Sequence, residues 1–317
     1  MQPFDSRQAD EVATLLALAE HGSFAAAGRA LQRHPSVLSK RLGALERRLG
    51  IRLVERTTRQ LRFTDEGERL ASRFRQAVDL LDEAEHEASL GAAQLRGRLR
   101  IALPSAMGRL WLGPLLAEFA LAHPQVVLET DYSERFVDII AEGFDLAIRV
   151  GELADSRLVA TSLAPMVRVV CASPEYLREH GVPASPGELP EHAGIDWDNL
   201  SPPYAWRFQH DGKLQHLRPK RARLATNNAE AMVDAALAGL GIAHLPTWLC
   251  SEYLLRGELQ ALFCDDGLPA AEPTCIYALR LEREASSRTR LLLAFLRERF
   301  GFPPPWDQAL QQRLGER

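Results

Sequence analysis

The segment that decides the fold runs from Ser23 to Gly50 and reads SFAAAGRALQRHPSVLSKRLGALERRLG. Its apolar spacing predicts two short amphipathic helices separated by a tight polar break. Several alanines in the first helix allow two backbones to approach closely, whereas the second helix is rich in Lys and Arg. Helices of this kind are typical of a helix-turn-helix, whose second helix enters the major groove of DNA.

Length and composition are those of an ordinary globular protein. The chain has 317 residues, of which 46% are hydrophobic and 25% are charged, enough for two or three domains. No apolar run approaches the roughly 20 residues that span a bilayer. The N-terminal segment carries acidic residues where a signal peptide needs basic ones. We therefore expect a cytoplasmic protein without a membrane partner.

Charge is distributed unevenly along the chain. The net charge is −4, but residues 1–64 carry eleven Lys plus Arg against six Asp plus Glu, which leaves −9 for the remainder. A basic head on an acidic body is typical of a protein whose head alone binds nucleic acid. A solvated basic face is the alternative.

Residues 1–64 are predicted to form a winged helix-turn-helix. The first helix is expected over Asp10–Glu20, and Gly22 suits the left-handed residue that ends a helix. Ser23 is the expected cap of the second helix, and Pro35 suits the first turn of the third. Four leucines of the third helix are predicted to face the core: Leu38, Leu42, Leu45 and Leu49.

The opposite face of the third helix is predicted to meet DNA, and a basic wing follows it. Ser36, Lys40, Gly43 and Arg47 share this face. The sequence IRLVERTTRQLRFT over residues 51–64 contains two alternating runs, which predict a hairpin. Its basic tip is expected to touch phosphate or the minor groove.

A long helix is predicted from Asp65 to about Leu90, within a linker of residues 65–96. Apolar residues at spacings of 4, 3, 4, 3 and 4 form a heptad seam, which favours a dimerising coiled coil. Packing against its own domain is the alternative. A two-fold dimer also suits a winged helix, because paired heads read paired half-sites. The seam comprises Leu70, Phe74, Ala77, Leu81, Ala84 and Ala88.

Residues 97–303 alternate between strand and helix patterns, which predicts two α/β lobes with parallel, doubly wound sheets. Lobe 1 is expected over about 97–165 and 269–303, and lobe 2 over about 166–268. Helices are expected at Met107–Ala122 and Arg135–Glu142, and the strand Thr274–Leu281 is expected to close lobe 1. Ligands bind in the cleft of such lobe pairs. Residues 304–317 are predicted to be a mobile, proline-rich tail.

These patterns resemble a LysR-type transcriptional regulator over roughly residues 10–300. In the head, the resemblance rests on Ser23-Phe24, Ala26-Ala27, Leu31, Ser39, Leu42, Leu45-Glu46, Leu49-Gly50, Leu53, Arg56, Arg59 and Thr64-x-x-Gly67. In the body, it rests on Phe144–Arg149, Ser173-Pro174-x-Tyr176-Leu177, Gly239-x-Gly241-Ile242 and Pro246.

This resemblance implies a specific architecture and function. The fold would be α/β overall, with a winged helix-turn-helix, a linker helix and a two-lobed effector domain similar to periplasmic binding proteins. The protein would be a homodimer or a homotetramer formed as a dimer of dimers, binding double-stranded DNA and acting on RNA polymerase. A small co-inducer would control transcription, and no cofactor is implied.

The start of the recognition helix departs from the family pattern. Ser or Thr followed by Gln is usual there, whereas this chain has His34 and Pro35. Because Pro35 cannot hydrogen-bond a base edge, readout is expected to rest more on Ser36 and Lys40. Phosphate is favoured for Arg41, and base or phosphate is left open for Lys40. The expected DNA contacts are Ser23, His34, Ser36, Ser39, Lys40, Arg41, Arg56, Thr57, Thr58 and Arg59.

For the effector, the resemblance indicates the turn after the first body strand. Ser105 and Ala106 precede a helix whose N-terminal amides suit an anionic group, and Thr226-Asn227-Asn228 offer the same arrangement across the cleft, with Thr226 and Asn227 as the expected contacts. Simple helix capping is the alternative. We expect a small, carboxylate-bearing ligand. Weaker candidates for the wall of the site are Tyr204, Trp206 and Pro246.

Arg149 is a further candidate effector ligand, because it lies at the carboxyl end of a predicted strand. It is expected to pair with a ligand carboxylate, with Asp145 or with Glu152.

Enzyme and metal functions are not indicated. Gly239-Leu-Gly241 lacks the third glycine of a dinucleotide fingerprint, and no Gly-x-Ser-x-Gly elbow occurs. The histidines and cysteines lack metal-ligand spacing. Two alternatives to ligand sensing stay open. One is a thiol-redox regulator of the same family that uses Cys264 and Cys275, and the other is a solute-binding protein with an unrelated head.

Overall fold

The computed structural model describes residues 5–56, 61–90, 95–151, 158–197, 206–210, 213–264, 268–269, 275–281 and 285–315. The chain divides into two compact units. The first comprises Met1–Arg100 with Gln125–Val127 and Val137–Asp145, and the second comprises Ile101–Pro124, Leu128–Phe136 and Leu146–Arg317.

The described residues form helices and mixed sheets. The helices are α1 (Ser6–His21), α2 (Phe24–Ala30), α3 (Pro35–Leu49), α4 (Asp65–Leu90), α5 (Ser105–Met107), α6 (Gly113–Ala122), α7 (Ile139–Glu142), α8 (Pro174–His180), α9 (Ala229–Leu237), α10 (Thr247–Arg256), α11 (Ser287–Phe300) and α12 (Pro305–Gly315). The strands are β1 (Val54–Arg56), β2 (Leu61–Phe63), β3 (Gly97–Leu103), β4 (Val126–Tyr132), β5 (Leu146–Gly151), β6 (Leu158–Pro165), β7 (Arg168–Ala172), β8 (Ala193–Trp197), β9 (Trp206–His210), β10 (Lys213–Leu217), β11 (Arg221–Thr226), β12 (Ile242–Pro246), β13 (Gln260–Leu262) and β14 (Cys275–Leu281).

The three helices of the head share one hydrophobic core. Leu15 and Leu18 of α1 pack with Leu38, Leu42 and Leu45 of α3 in this core. The helix-turn-helix is therefore confirmed. The prediction for Leu49 is wrong, because this side chain is 39% exposed at the last residue of α3.

The first helix begins earlier than predicted, at Ser6 instead of Asp10. Asp5 and Gln8 form a capping box: the Asp5 carboxylate accepts from the Gln8 N–H at 2.8 Å, and the Gln8 side chain accepts from the Asp5 N–H at 3.2 Å. Because these bonds satisfy amides that have no partner inside the helix, the helix extends one turn further toward the N-terminus.

The predicted wing is an antiparallel hairpin tied to the start of α4. Val54 of β1 pairs with Phe63 of β2. The Thr64 hydroxyl donates to the Arg52 carbonyl at 2.8 Å and accepts from the Gly67 N–H at 3.1 Å. A Cβ at Gly67 would collide with the Leu53 carbonyl. The Thr64-x-x-Gly67 pattern thus fixes where the linker helix begins.

The long linker helix α4 has the predicted bounds. Part of its seam is solvent-facing, since Leu81 is 57% exposed and its neighbour Leu80 is 46% exposed. Leu70 and Phe74 instead pack against the head core. The side chains of Ala84 and Ala88 lie outside the described residues.

The body contains two five-stranded sheets, as expected for two α/β lobes. Their strand orders are β4-β3-β5-β14-β6 and β11-β8-β12-β7-β13. Parallel pairs occur, such as β3 with β5 and β8 with β12. The prediction of parallel sheets holds only in part, because β14 runs antiparallel to β5 and β6, and β7 runs antiparallel to β12 and β13. The predicted return of the chain through β14 into the first sheet is confirmed.

Two helix bounds in lobe 1 differ from the prediction. The helical segment after β3 begins at Ser105 and includes a π-helical turn at Gly108–Leu112 before α6. The expected helix over Arg135–Glu142 is reduced to the four residues of α7. Asp138 caps α7 by accepting from the amides of Ile140 and Ala141 at 2.9 Å, so the helix cannot begin before that residue.

The described part of the C-terminal tail is ordered, in contrast to the prediction of mobility. It forms α12, in which Trp306 is 2% exposed and Leu310 is 3% exposed. The Trp306 ring lies 4.7 Å from Trp111 and 5.5 Å from Phe300, both edge-on. Aromatic burial of this kind outweighs the entropy of ordering a short tail.

Within the described residues, no helix combines the length and apolarity that crossing a membrane requires.

We predict that Trp306→Ala lowers the free energy of unfolding by about 3–5 kcal/mol, because it leaves a cavity beside Trp111 and Phe300. Phe302→Ala is the matched control. Phe302 is 85% exposed, so its removal should change stability by less than about 0.5 kcal/mol. Urea denaturation of the full chain measures both, and equal effects would show that α12 does not pack through Trp306.

Candidate functional site

The recognition helix α3 presents a small polar face to solvent. Ser36 and Lys40 are exposed and lie four residues apart, one turn along the helix. Arg47 is exposed on the same face, and Gly43 between them is half-buried. Since Leu38, Leu42 and Leu45 occupy the buried side, this face is the one available to a groove.

His34 caps α3 despite being a weaker capping residue than Ser. Its Nδ1 accepts from the Ser36 N–H at 3.3 Å and lies 2.8 Å from the Ser36 hydroxyl. Both side chains are exposed. His34 and Ser36 therefore form one hydrogen-bonded pair at the end of the helix that would enter the groove.

Two basic residues of α3 have structural partners on α1. Arg41 forms an ion pair with Asp10. Arg48 contacts the Glu11 carboxylate through Nε at 3.1 Å and Nη2 at 2.5 Å, and Glu11 is only 1% exposed. A buried carboxylate requires such a partner. Arg48 thus helps to position α3 on α1, and it is not merely part of a solvated basic face.

Glu46 contributes a contact that sequence reasoning missed. Its carboxylate accepts from the backbone amides of Leu53 at 2.9 Å and Val54 at 3.3 Å. It thereby joins the end of α3 to the base of the wing. The only signal in the sequence was its place in the Leu45-Glu46 motif.

The remaining predicted DNA contacts lie at the start of α2, on α3 and in the wing. Ser23 caps α2 by accepting from the Ala26 N–H at 3.2 Å, and Ser39 is half-buried on α3. The tip residues Thr57, Thr58 and Arg59, with the side chain of Arg56, lie outside the described residues.

The predicted anion position at Ser105 is occupied by the protein itself. Glu134 follows β4, and its Oε1 accepts from the Ser105 N–H at 2.9 Å. Both residues are half-buried. The amide at the start of this helical segment therefore does bind a carboxylate oxygen, and an acidic side chain of the same chain supplies it.

Across the cleft, Thr226 and Asn228 cap the start of α9. The Thr226 hydroxyl accepts from the Asn228 N–H at 3.1 Å, and the Asn228 side chain accepts from the Ala231 N–H at 2.9 Å. Asn227 is exposed between them. Asn228 directly follows the predicted site residues Thr226 and Asn227, and a capping Asn four residues before the apolar Met232 is a helix-start signal.

The two helix starts are joined across the lobes. Arg109 lies one turn after Ser105, and its guanidinium pairs with Glu230 on α9, with Nε at 2.8 Å. The Trp111 indole N–H donates to the Trp248 carbonyl at 2.7 Å. The segments predicted to bind the effector are therefore neighbours in space.

The other predicted effector residues take varied positions. Arg149 donates to the Arg135 carbonyl at 3.0 Å, and its guanidinium lies 5.5 Å over the ring of Phe136, which is 89% exposed. Trp206 is 3% exposed in the hydrophobic core of lobe 2. Pro246 is buried before α10, Ala106 is buried in α5, and Tyr204 lies outside the described residues.

Within the described residues, the four cysteines form no disulfide. Cys264 and Cys275 are half-buried, and the redox alternative stays a prediction. Cys171 and Cys250 are fully buried. Burial raises the pKa of the Cys250 thiol well above its ordinary value, and its hydrogen bond with Cys171 raises this pKa further. A thiol held protonated reacts slowly. Among the described residues, no group of His, Cys, Asp or Glu is arranged to hold a metal ion.

Comparison with known proteins defines the class. Residues 9–68 match the bacterial regulatory helix-turn-helix protein model of the lysR family, and residues 92–301 match the LysR substrate binding domain. The chain belongs to the LysR family of transcriptional regulators. It is therefore a DNA-binding protein with a substrate-binding domain and not an enzyme. The alternative of a solute-binding protein with an unrelated head is wrong.

Individual relatives agree along nearly the whole chain. The HTH-type transcriptional regulator PtxR of Pseudomonas aeruginosa is 34% identical over 290 residues, 91% of this chain and 92% of PtxR. DmlR of Escherichia coli is 31% identical over 294 residues, 92% and 94% of the two chains. The structure of CrgA, a LysR-type transcriptional regulator from Neisseria meningitidis, has 30% identity and a TM-score of 0.57, covering 91% and 97%.

We predict that Lys40→Ala weakens DNA binding, whereas Arg48→Ala lowers the stability of the head. Lys40→Ala should weaken DNA binding without loss of stability: a base contact would cost about 1–3 kcal/mol on the operator, whereas a phosphate contact would weaken all duplexes equally. Arg48→Ala should lower the stability of the head by about 1–3 kcal/mol, because the buried Glu11 loses its hydrogen-bonded partner on α3 and keeps only Arg7.

Fluorescence anisotropy on operator and scrambled duplexes, with thermal unfolding of both variants, separates these effects. A stable Arg48→Ala protein that has lost DNA binding would make Arg48 a DNA contact. Lys40→Ala with full affinity for both duplexes would remove Lys40 from the interface.

Proposed function

We propose that this protein is a cytoplasmic, homodimeric regulator of transcription whose sequence-specific DNA binding responds to a small anionic effector held between the two lobes. The observation that carries the proposal is the polar face of α3. Ser36 and Lys40 are exposed there, opposite a fully buried leucine face, in a chain of this family.

The Ser105 amide supports the anionic class of effector. This amide already holds a carboxylate oxygen, that of Glu134, at 2.9 Å. A backbone N–H at the start of a helical segment stabilises negative charge. A free carboxylate that displaced Glu134 would meet the same donor, and the Arg149 guanidinium donates to the carbonyl of Arg135, the residue after Glu134.

Contacts between the lobes support a response to that ligand. The Arg109–Glu230 pair joins the segment after β3 to α9, which follows β11, and the Trp111–Trp248 hydrogen bond joins it to α10, which follows β12. A ligand bound between these segments stabilises whichever lobe arrangement it contacts better. In the proposed mechanism, this shift changes the spacing or bend of the bound DNA and hence the access of RNA polymerase.

Exposed leucines on α4 support a dimer. Leu80 and Leu81 are about half exposed on α4. Apolar side chains at heptad spacing are stabilised by burial against a second copy of the helix. A two-fold dimer would present one recognition helix to each of two half-sites in the DNA. A dimer of dimers would extend the bound region.

Footprinting on the upstream DNA of the protein's own gene tests the proposed function. The full chain should protect a site with two-fold symmetry, and a panel of small carboxylates should shift the protected boundary for at least one member. Protection of all sequences alike, unaffected by every carboxylate, would contradict the proposal.

We predict that Leu81→Glu abolishes dimers, because two carboxylates would face each other across the apolar seam. Sedimentation velocity should show a monomer at concentrations where the unmodified chain is a dimer. Arg73→Glu, an exposed charge change on the same helix, is the control and should stay dimeric. A dimer of Leu81→Glu would assign dimerisation to another surface.

We also predict that Glu134→Ala strengthens the binding of benzoate, used as a small carboxylate probe, by about tenfold to a hundredfold. Removal of the Glu134 carboxylate leaves the Ser105 amide available to the carboxylate of the probe. Isothermal titration calorimetry measures the Kd. Glu175→Ala removes an acidic side chain on α8 that is 69% exposed and should leave the Kd unchanged. Equal Kd values in all three proteins would show that Glu134 does not compete for the site.

A further inference from the structure

A polar pocket lies within the first unit. One wall is α4, which contributes Ser72, Arg75 and Gln76. The other wall comprises the start of β3 and the connection between α7 and β5. The enclosed part has room for about one water-sized species.

Two buried polar groups on α4 face this pocket without a partner. Ser72 is 8% exposed and Gln76 is 9% exposed. Within the described part of the chain, neither the Ser72 hydroxyl oxygen nor the Gln76 Nε2 makes a hydrogen bond. Burying a polar group unpaired is costly, so such groups in a native protein indicate a missing ligand or water.

The backbone of Gly143 closes the pocket against α4. Its φ is +73°, a left-handed conformation that ends α7, and a Cβ at this position would collide with the Ser72 hydroxyl. The Gln76 Nε2 would lie 3.4 Å from the same Cβ. The close approach holds both donors in place, so the pocket is a built feature and not a loose surface groove.

Hydrogen-bond donors and positive charge dominate the lining. Arg75, Arg98 and Arg100 contribute three guanidinium groups, against the single carboxylate of Asp145. That carboxylate already accepts from the Arg100 N–H at 2.9 Å. The Arg100 guanidinium donates to the Glu142 carbonyl at 2.6 Å, so it is held at the pocket. A species that accepts hydrogen bonds and carries negative charge complements this lining.

We propose that this pocket binds one small inorganic anion of halide size, with chloride as the probe. The size of the enclosed space excludes an organic acid, and the surplus of donors disfavours a cation. The site is independent of the proposed effector cleft. The bound anion would bridge Ser72 and Gln76 of α4 to the arginines of β3, and so stabilise the packing of the linker helix within this unit.

Bromide provides a direct test, because it replaces chloride and scatters anomalously. Crystals of the full chain grown in sodium bromide should show an anomalous peak within hydrogen-bond distance of Ser72 and Gln76. A water molecule there, without an anomalous signal, would overturn the proposal.

Thermal unfolding gives a second readout at constant ionic strength. Replacing gluconate by chloride should raise the unfolding temperature by roughly 2–5 °C. Gln76→Glu places a carboxylate in the pocket, which would take the place of the anion. This variant should therefore unfold in gluconate at the temperature that the unmodified chain reaches in chloride, and chloride should not raise it further. Arg73→Gln, an exposed change one residue from Ser72, should keep the full response. An equal chloride response in all three proteins would also overturn the proposal.

Discussion

The structure of the head depends on one constraint: α3 must bury its leucine face against α1 at a fixed angle. The buried carboxylate of Glu11 helps to set that angle, because it pairs with the guanidinium of Arg48 on α3 as well as with Arg7 on its own helix. Once this face is fixed, only the opposite face, with Ser36 and Lys40, can reach a groove. Glu46 and Thr64 then transmit the position of α3 to the wing and to the start of α4.

Features with local signals could be predicted from the sequence. The helix-turn-helix, the wing, the bounds of α4 and the alternating lobes all follow from short-range spacing and caps. Two errors had local signals that were overlooked. Asp5-x-x-Gln8 is a capping box that extends α1, and Pro305-Trp306-Asp307 begins a helix with proline in its first turn. Leu49 was misplaced because helical spacing does not show where the partner helix ends.

Contacts between distant residues could not be predicted. Glu134 reaches Ser105 over 29 residues, Arg48 reaches Glu11 over 37, and Arg109 reaches Glu230 over 121. The sequence predicted ligand positions at the helix starts at Ser105 and near Thr226, but nothing local indicated that Glu134 contacts the Ser105 amide. Under the proposed function, an effector at Ser105 would compete with this internal carboxylate, which favours ligands that gain further contacts elsewhere.

The most direct measurement for the central claim is site-specific photo-crosslinking of the full chain to its upstream duplex. A photoreactive residue at position 36 on α3 is compared with one at position 7, which lies on the exposed side of α1. The account predicts strong crosslinks to bases from position 36 and none from position 7, at a salt concentration that suppresses non-specific binding. Equal yields from both positions, or crosslinks from position 7 alone, would contradict it.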